Sequence, residues 1–576
     1  MQAALQQRQC QVTGLTVDRS AERQIMAHAV TAVAYLALGG VLALLVVLTR
    51  WQAIHLLPAE TFYIVLSNHG TIMLIFWILF FEMAGLMFGS TVLLSARNTA
   101  PMLGWVVYGL MLVGSLLAMV VTFTGQATVM FTAYPPLRAS PWYYLGIILF
   151  AVGAILGIVH FFVNIVAARR RGEVGSLPLF TFALLAAAII GLWSLLSGAA
   201  AIVWTFVWSL GLTGTPDPGI YRLLFWGLGH GAQQVNLAAM IGVWYALGSM
   251  TTGAKPLNEG FSRGAIVLYV FFIQMAAMHH LLADPGLGTW VKNINVSYFM
   301  YAAVMGSLIH AFSIPASIER ALRDKGFGGG LFTWLRRAPW GEPGFSALVI
   351  SLVLFGVMGG ISGVIIGSPA PNLISHNTLL VPAHFHMTVV AGTTLAFMGM
   401  TYYLVPLIFQ RQLIWRGVAR IQPYLYGGGM VIWGMGTGLA GHWGVPRRHW
   451  DITFAQAPSL RTDLLMIPQV DIFLALLGIG GMIAVLGGAL FVLTIVGTLL
   501  AGLRTATPYL GEIEPDAFRY IPAVAGGSEA AETATPHHGG FEVPGTLVLA
   551  VGFLVLFVFL YGFSWYELST WNFGLR

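Results

Sequence analysis

The amino-acid sequence predicts an all-α fold, a polytopic membrane helix bundle of about 13 transmembrane helices in which residues 1–576 form a single domain. Composition gives the first reason. Hydrophobic residues make up 57% of the chain and charged residues only 8%, against roughly 25% charged residues in soluble proteins. The second reason is a succession of apolar runs that each reach the ~20 residues needed to cross a bilayer. The third is that no large polar stretch separates these runs.

Thirteen apolar segments are predicted to cross the membrane. They lie near residues 28–49, 62–95, 103–125, 141–167, 179–210, 220–250, 264–284, 297–317, 344–366, 379–409, 423–445, 470–503 and 545–566. A polar N-terminus, residues 1–25, precedes the first segment and lacks the apolar core of a signal peptide. A polar linker, residues 504–543, precedes the last segment. Both polar stretches are predicted to be cytoplasmic.

The distribution of Lys and Arg between the segments sets the predicted orientation. With the N-terminus in the cytoplasm, 19 of the 27 Lys and Arg residues fall in inner segments. The net charge of +6 therefore reflects topology rather than nucleic-acid binding. The single cysteine, Cys10, excludes a disulfide framework, a CxxCH haem attachment and a thiolate metal site.

Histidines provide the functional signal. Six of them fall inside predicted segments at one common depth: His69, His230, His279, His280, His384 and His386. His69, for example, lies about seven residues from the outer end of its segment, or roughly 10 Å deep. A lone histidine could equally be a hydrogen-bonded core residue. Six at one depth, from four segments, indicate a shared functional site, because ionisable residues are costly inside a membrane.

The spacing of these histidines suggests their roles. His384 and His386 are two residues apart on one helix, so they point to nearly opposite sides and could bind two haems. A six-coordinate haem needs a second histidine from a facing helix, and His69 is available for it. His279 and His280 are adjacent, and His230 faces them from the preceding segment. Three imidazoles suit copper, iron or zinc with an open position for substrate.

Cations in the outer loops are candidates for binding the haem propionates, because Arg pairs carboxylates through two hydrogen bonds. The first candidates are Arg447 and Arg448 in the sequence GVPRRHW. Further candidates are Arg138 in AYPPLR, and His376 with Asn377 in SHNT. The alternative for the arginine pair is an ordinary solvated loop.

The chain resembles subunit I of the haem-copper oxidase superfamily, specifically its B-type branch, at TAYPPL, HHLLADPG, HNTLLVPAHFHM and VPRR. The resemblance covers nearly the whole chain. It implies that His69 and His386 bind a low-spin haem, of b type, and that His384 binds a high-spin haem of b or a type. The remaining three histidines, His230, His279 and His280, would hold a non-haem Cu or Fe.

The resemblance also implies a cellular setting. The family occupies the prokaryotic cytoplasmic (inner) membrane. Electrons would enter at the outer face from a partner subunit with a CuA centre or a c-type haem. That subunit would in turn be reduced by cytochrome c or a cupredoxin.

One position departs from the resemblance. Dioxygen-reducing members of the branch carry a Tyr four residues after the sixth-segment His, where HGAQQVN places Gln234. A second branch supplies the Tyr at the position of Ile273. The resemblance implies that this Tyr gives the fourth electron, with a proton, when the O–O bond is cleaved. Coupling two NO molecules needs only two electrons and no Tyr. Gln234 is therefore interpreted as the mark of a nitric oxide reductase; the alternative is a packing residue in an unusual oxidase.

Proton supply is also altered relative to the B-type pattern, which uses Tyr, Ser and Thr on the sixth and eighth segments. Tyr245 and Ser307 match that pattern, whereas Ile241 and His310 stand where a Tyr and a Thr are expected. Glu82 is the one carboxylate clearly inside a predicted segment. It is interpreted either as a proton relay or as a capped structural acid.

The sequence thus predicts the catalytic subunit of a respiratory nitric oxide reductase, which converts two NO, two electrons and two protons to nitrous oxide and water. The alternative is a dioxygen-reducing cytochrome c oxidase subunit I. A non-enzymatic haem carrier or gas sensor is disfavoured, since a carrier needs only six-coordinate haem and the three-histidine site is open. A transporter is disfavoured because there is no intramembrane Lys or Arg and no internal repeat.

Overall fold

The computed structural model describes residues 6–452, 468–514 and 542–570, apart from the side chains of 273–276 and 567–570. Thirteen long helices account for most of this described part. They are α1 (Arg19–Arg50), α2 (Ala59–Val92), α3 (Pro101–Phe123), α4 (Pro141–Arg170), α5 (Leu179–Ser209), α6 (Pro218–Thr252), α7 (Glu259–Leu281), α8 (Thr289–Phe327), α9 (Pro343–Gly367), α10 (Leu380–Phe409), α11 (Arg416–His442), α12 (Pro468–Ala501) and α13 (Pro544–Thr570). A short antiparallel hairpin, β1 (Gln7–Gln9) and β2 (Thr16–Asp18), precedes α1.

Eleven of these helices are long and apolar enough to cross a membrane. The other two, α6 and α11, are 35 and 27 residues long and coincide with the predicted segments 220–250 and 423–445. The predicted all-α membrane bundle is confirmed. The total of 13 crossings stays a prediction, because α6 and α11 are less apolar than the other eleven helices.

The helices extend beyond several of the predicted segments. The largest difference is at α8, which runs over Thr289–Phe327 where the sequence predicts 297–317. Its extra turns carry charged residues such as Lys292 and Arg320, so a hydropathy criterion could not include them. The Ile273 side chain and residues 515–541 of the predicted linker lie outside the described residues.

Local signals fix the ends of the helices that carry the site. Asp18 caps α1, where its carboxylate accepts a hydrogen bond from Ser20 N at 2.8 Å. Asp217 caps α6 by accepting from Ile220 N at 2.9 Å, and Pro218 occupies the first turn. At the other end of α6, Gly253 adopts a φ of 75°, which terminates the helix at little steric cost.

Glycines bring α11 and α12 into backbone contact. A Cβ on Gly429 would lie 2.4 Å from Ala484 N, and one on Gly480 would lie 2.2 Å from Trp433 N. Any larger residue would force the two helices apart, as in other close helix pairs of membrane proteins. This close pairing fixes Trp433, which lies beside one of the predicted haem ligands.

Wide π-helical turns interrupt three helices close to the predicted ligands. They span Ile72–Phe76 in α2, Leu354–Gly360 in α9 and His386–Thr394 in α10. Such turns are rare and concentrate at functional sites. The turn in α2 follows His69, and the turn in α10 begins at His386. The turn in α9 contains Gly359, whose carbonyl oxygen contacts His384 of α10.

Candidate haem and metal site

All six predicted histidines line one cavity of about 680 Å³. They enter it from four helices, α2, α6, α7 and α10, as the common depth in the sequence predicted. Apolar side chains form most of the remaining wall. A large apolar cavity with a few convergent polar groups is the usual form of a cofactor site.

His69 and His386 are each oriented by a backbone carbonyl. His69 Nδ1 donates to Gly39 O at 3.1 Å, and His386 Nδ1 donates to Pro382 O at 2.8 Å. Each bond leaves the opposite nitrogen, Nε2, with a free lone pair for a metal. The Trp433 ring packs against His386 with centroids 4.4 Å apart and limits rotation of the imidazole. This is the orientation that an axial haem ligand requires.

His384 is oriented in the same way from α9. Its Nδ1 lies 2.9 Å from Gly359 O and 3.2 Å from Ser362 Oγ. Gly363 closes the contact, because a Cβ at this position would lie 2.7 Å from His384 Cε1. The side chain thus fits as a haem ligand, and α9 leaves room for no residue larger than glycine beside it.

The other three histidines form a candidate metal centre. The ligand atoms of His230, His279 and His280 all lie within 4.8 Å of one another. His230 Nδ1 and His280 Nε2 are 3.2 Å apart. Imidazole nitrogens bind first-row metals at about 2.0–2.1 Å, which places nitrogens about 3.4 Å apart around one tetrahedral ion. The three side chains therefore fit a single metal ion.

Two further side chains contact this cluster. Trp226 stacks on His280 with ring centroids 3.8 Å apart and an interplanar angle of 2°. Gln234, one helical turn after His230, places its amide nitrogen 3.0 Å from His230 Nε2. Gln234 Oε1 is buried with no hydrogen-bond partner among the described residues. That oxygen is available to a metal ion or a bound molecule.

Arginines cover the end of the cavity that the sequence predicts to be the outer one. Arg447 and Arg448 line it as predicted, together with Arg50 and Arg222, which the sequence analysis did not single out. Within the described structure, Nε of Arg447 and Nε of Arg222 are buried without a hydrogen-bond partner. Burial lowers the pKa of Arg447 to about 10, so the guanidinium remains charged near neutral pH. Buried, charged and partly unbonded guanidinium groups fit the carboxylates of haem propionates.

Of the other predicted propionate ligands, some line the cavity and others do not. His376 lines the cavity, where burial lowers its pKa to about 4 and keeps the imidazole neutral. Asn377 is not a lining residue; its carbonyl accepts from Arg447 N at 2.8 Å and so positions the arginine loop. Arg138 is not a lining residue either, and its predicted role is not supported. Its guanidinium donates to Ser209 O at 2.6 Å at the end of α5.

The predicted proton-path residues are partly connected. Tyr245 Oη lies 3.0 Å from Ser262 Oγ and 3.1 Å from His310 Nδ1, and these side chains are buried. Ser307 lines the main cavity. Ser262 was not predicted from the sequence, since a serine in the first turn of a helix carries no sequence signal for proton transfer.

Glu82 is buried outside the main cavity. Neither of its carboxylate oxygens has a hydrogen-bond partner among the described residues, and Asn236 Nδ2 is likewise unpaired. Both residues border a second cavity of about 40 Å³, whereas about 10–15 Å³ of this kind of volume is enough for one water. The structure thus favours a hydrated acid over the capped structural acid that the sequence left open.

Known proteins with a similar sequence or structure agree with this geometry. The family model for cytochrome c and quinol oxidase polypeptide I matches residues 23–483. The chain belongs to this family. Its relatives include cytochrome c oxidase subunit 1 of Thermus thermophilus, which is 31% identical over 468 residues, 79% of each chain. Ubiquinol oxidase subunit 1 of Acetobacter aceti is 29% identical over 373 residues, covering 60% of this chain and 52% of the relative.

A solved structure of the same family shares the architecture. It is a heme-copper terminal oxidase dimer determined by cryo-EM, and it matches with a TM-score of 0.79 and 25% sequence identity. The match covers 95% of this chain and 92% of that one. Membership in this family of heme-copper oxidase catalytic subunits implies an oxidoreductase with a low-spin haem, a high-spin haem and a copper centre. The names of the relatives favour the oxidase alternative, and none of them supports the nitric oxide reductase prediction.

Proposed function

We propose that the chain is the catalytic subunit of a respiratory terminal oxidase that reduces dioxygen in the main cavity. The single observation that carries this proposal is the convergence of six histidines on one cavity in a chain 31% identical to a cytochrome c oxidase subunit 1. His69 and His386 would hold the low-spin haem and His384 the high-spin haem. His230, His279 and His280 would hold the non-haem metal. When bound, these groups supply the redox-active metals that bind and reduce a diatomic gas.

Nitric oxide reduction is the second candidate, and Gln234 favours it. A Tyr in this place could donate an electron and a proton, whereas an amide does not titrate usefully and is not readily oxidised. The hydroxyls of the two tyrosines among the described cavity-lining residues are hydrogen-bonded to groups outside the three-histidine centre. Tyr269 donates to Ser307, and Tyr426 donates to Val390 O. Coupling two NO molecules makes no demand for a redox-active side chain.

Dioxygen reduction would need another oxidisable side chain near the metal centre. Trp226 fits this requirement because its indole is in parallel contact with His280 at 3.8 Å. The two candidates therefore differ in which side chain they require. Nitric oxide reduction requires no redox-active residue at position 234. Dioxygen reduction requires Trp226 to donate an electron.

The decisive experiment measures dioxygen and NO consumption on one preparation of the purified complex, with the native chain and with Gln234→Tyr and Gln234→Leu. For an oxidase, dioxygen turnover exceeds NO turnover in the native chain, and Gln234→Leu leaves that order unchanged. If NO turnover greatly exceeds dioxygen turnover and Gln234→Tyr reverses the order, the second candidate replaces the first. If the native complex consumes neither gas, both candidates are wrong.

Electrons are proposed to arrive through a partner subunit at the outer face. Among the described residues, the group of side chains with metal-ligand spacing is the three-histidine centre, and Cys10 is buried. A partner with a CuA centre or a c-type haem, reduced by cytochrome c or a cupredoxin, would supply the missing relay. Rapid cytochrome-driven turnover by the isolated chain would contradict this proposal.

Protons are proposed to enter from the cytoplasm through Tyr245, His310 and Ser307, with the chain in the inner membrane as one domain and its N-terminus inside. The support is the chain of polar side chains between the inner end of α7 and the cavity. Glu82 is proposed as a separate relay acid, because its carboxyl borders a cavity large enough for water. A Glu82→Gln variant with native proton uptake would remove it from the scheme.

A further inference from the structure

The proton route just proposed has a gap between His310 and Ser307. Tyr245 approaches His310 at Nδ1, and no hydrogen bond between described side chains joins His310 to Ser307. The opposite nitrogen, His310 Nε2, is buried without a partner in the described structure. A proton that reaches His310 therefore needs one more group to reach the cavity.

Tyr269 of α7 lies in this gap. Its hydroxyl donates to Ser307 Oγ at 3.0 Å, and its ring lies against the His310 imidazole with centroids 5.8 Å apart. The side chain is wholly buried and lines the main cavity. Gly306 of α8 makes room for it, since a Cβ there would lie 3.2 Å from Tyr269 Cε1.

The hydroxyl environment distinguishes Tyr269 from a tyrosine that only packs. Its partner is a serine that opens onto the cavity, whereas the buried Tyr402 hydroxyl donates to Gln422 Oε1 at 3.1 Å, away from the cavity. On the facing helix α6, Ile241 lines the cavity one turn before Tyr245 and offers no proton. Helix α7 therefore supplies the hydroxyl that α6 lacks at this level.

We propose that Tyr269 is a proton relay between His310 and Ser307, which rests on the proposed gas reduction because that reaction consumes protons in the cavity. His310 takes a proton at Nδ1 from the Tyr245 hydroxyl and releases its Nε2 proton through one water toward Tyr269. Tyr269 accepts this proton on its oxygen as its own hydroxyl proton passes to Ser307. The Tyr245 hydroxyl is reprotonated from Ser262, which is replenished from the inner side, and Ser307 passes its own hydroxyl proton into the cavity. Each group then ends with as many protons as it began with, with the His310 proton on Nδ1 instead of Nε2, and one proton has moved from the inner side to the cavity.

The test is Tyr269→Phe in the full complex, reconstituted in vesicles, because this change removes one hydroxyl and keeps the ring. Loss of a positioned proton-transfer group commonly costs 10²-fold or more, so we expect gas turnover to fall by at least about tenfold. Proton uptake from the inner side should slow equally. The haem spectra, carbon monoxide binding and the rate of anaerobic haem reduction should stay native. Tyr402→Phe is the matched control and should keep native turnover and proton uptake.

Native proton uptake by Tyr269→Phe would overturn the relay. If that variant fails to bind haem, Ser307→Ala interrupts the same hydrogen bond and should slow proton uptake to the same extent. Native proton uptake in Ser307→Ala would also overturn the relay. Placing a phenol on the facing helix, as Ile241→Tyr in the Tyr269→Phe background, should recover part of the rate. Failure of the gas-reduction proposal is distinct, because the native complex would then consume neither gas.

Discussion

The two sets of histidines around the cavity are held in different ways. His69, His384 and His386 each donate from Nδ1 to a backbone carbonyl of a neighbouring turn or helix. In the metal centre, by contrast, His230 contacts His280 directly at 3.2 Å and accepts the Gln234 amide at 3.0 Å. The predicted haem ligands are therefore oriented by backbone carbonyls. The three histidines of the metal centre are oriented largely by contacts with one another and with Gln234.

This difference predicts different dependence on the bound groups. A carbonyl-bound imidazole keeps its ligand nitrogen in place before a haem arrives, so the haem sites are preorganised. In the metal centre, nitrogens that would bind a metal are hydrogen-bonded to each other and to Gln234. Metal binding must exchange those contacts for coordination bonds. Substitutions near the metal centre should therefore affect metal occupancy more than haem occupancy.

The largest expected effect comes from removing one carbonyl-oriented ligand. His69→Ala should abolish the low-spin haem optical signal and leave the high-spin signal, because His384 lies on another helix and keeps its own carbonyl partner. The measurement is the reduced-minus-oxidised spectrum with and without carbon monoxide. His160→Ala is the control, since His160 is buried against Asn98 and does not line the cavity. A low-spin signal that survives in His69→Ala would show that this set does not bind haem as assigned.

An intermediate effect is expected at the metal centre. Trp226→Leu removes the ring stacked on His280 and should lower affinity for the non-haem metal by about 10–100-fold, the usual cost of losing a residue that orients a ligand. Metal content after dialysis against a chelator measures this effect. Trp226→Phe keeps an aromatic face and should lose less. Equal loss of haem and metal in Trp226→Leu would contradict the distinction between the two sets.

The smallest expected effect is at the arginines that line the cavity. Arg447→Lys keeps the charge and removes one arm of the forked contact, which should cost about 1 kcal/mol, or roughly fivefold in haem retention. Haem transfer to an acceptor protein measures it. Because the pKa of Arg447 is about 10, its charge persists below that pH, and retention by the native chain should be flat between about pH 6 and 8. Unchanged retention in Arg447→Lys would mean that this side chain holds no propionate.

The sequence was sufficient for the histidines because imidazoles are rare inside membranes and their spacing restricts their geometry. It was not sufficient for the arginines. Arg138 and Arg222 are both single cations near the ends of helices, and composition cannot tell which one faces the cavity. The distinguishing contacts are long-range: Arg138 binds a carbonyl 71 residues away, and Arg222 pairs with Asp284 of the loop between α7 and α8 at 2.9 Å.

Trp226 and Tyr269 could not be predicted as site residues for a related reason. Aromatic residues are common in membrane helices, where they serve as interfacial anchors or packing residues. Nothing in the local sequence separates a tryptophan that stacks on His280 from one that faces lipid. Helix ends were also displaced, as in α8, because charged turns continue a helix beyond its apolar part.

The wide turn at His386–Thr394 has a consequence for how this chain can change by descent. A π-turn is equivalent to one residue inserted into an α-helix, and each residue rotates the helix by about 100°. Deleting one codon within this turn would restore a regular helix and rotate either the histidine pair or the C-terminal half of α10 onto the wrong face. Heritable variation in this helix is therefore restricted to substitutions, while the register between its two halves must be inherited unchanged.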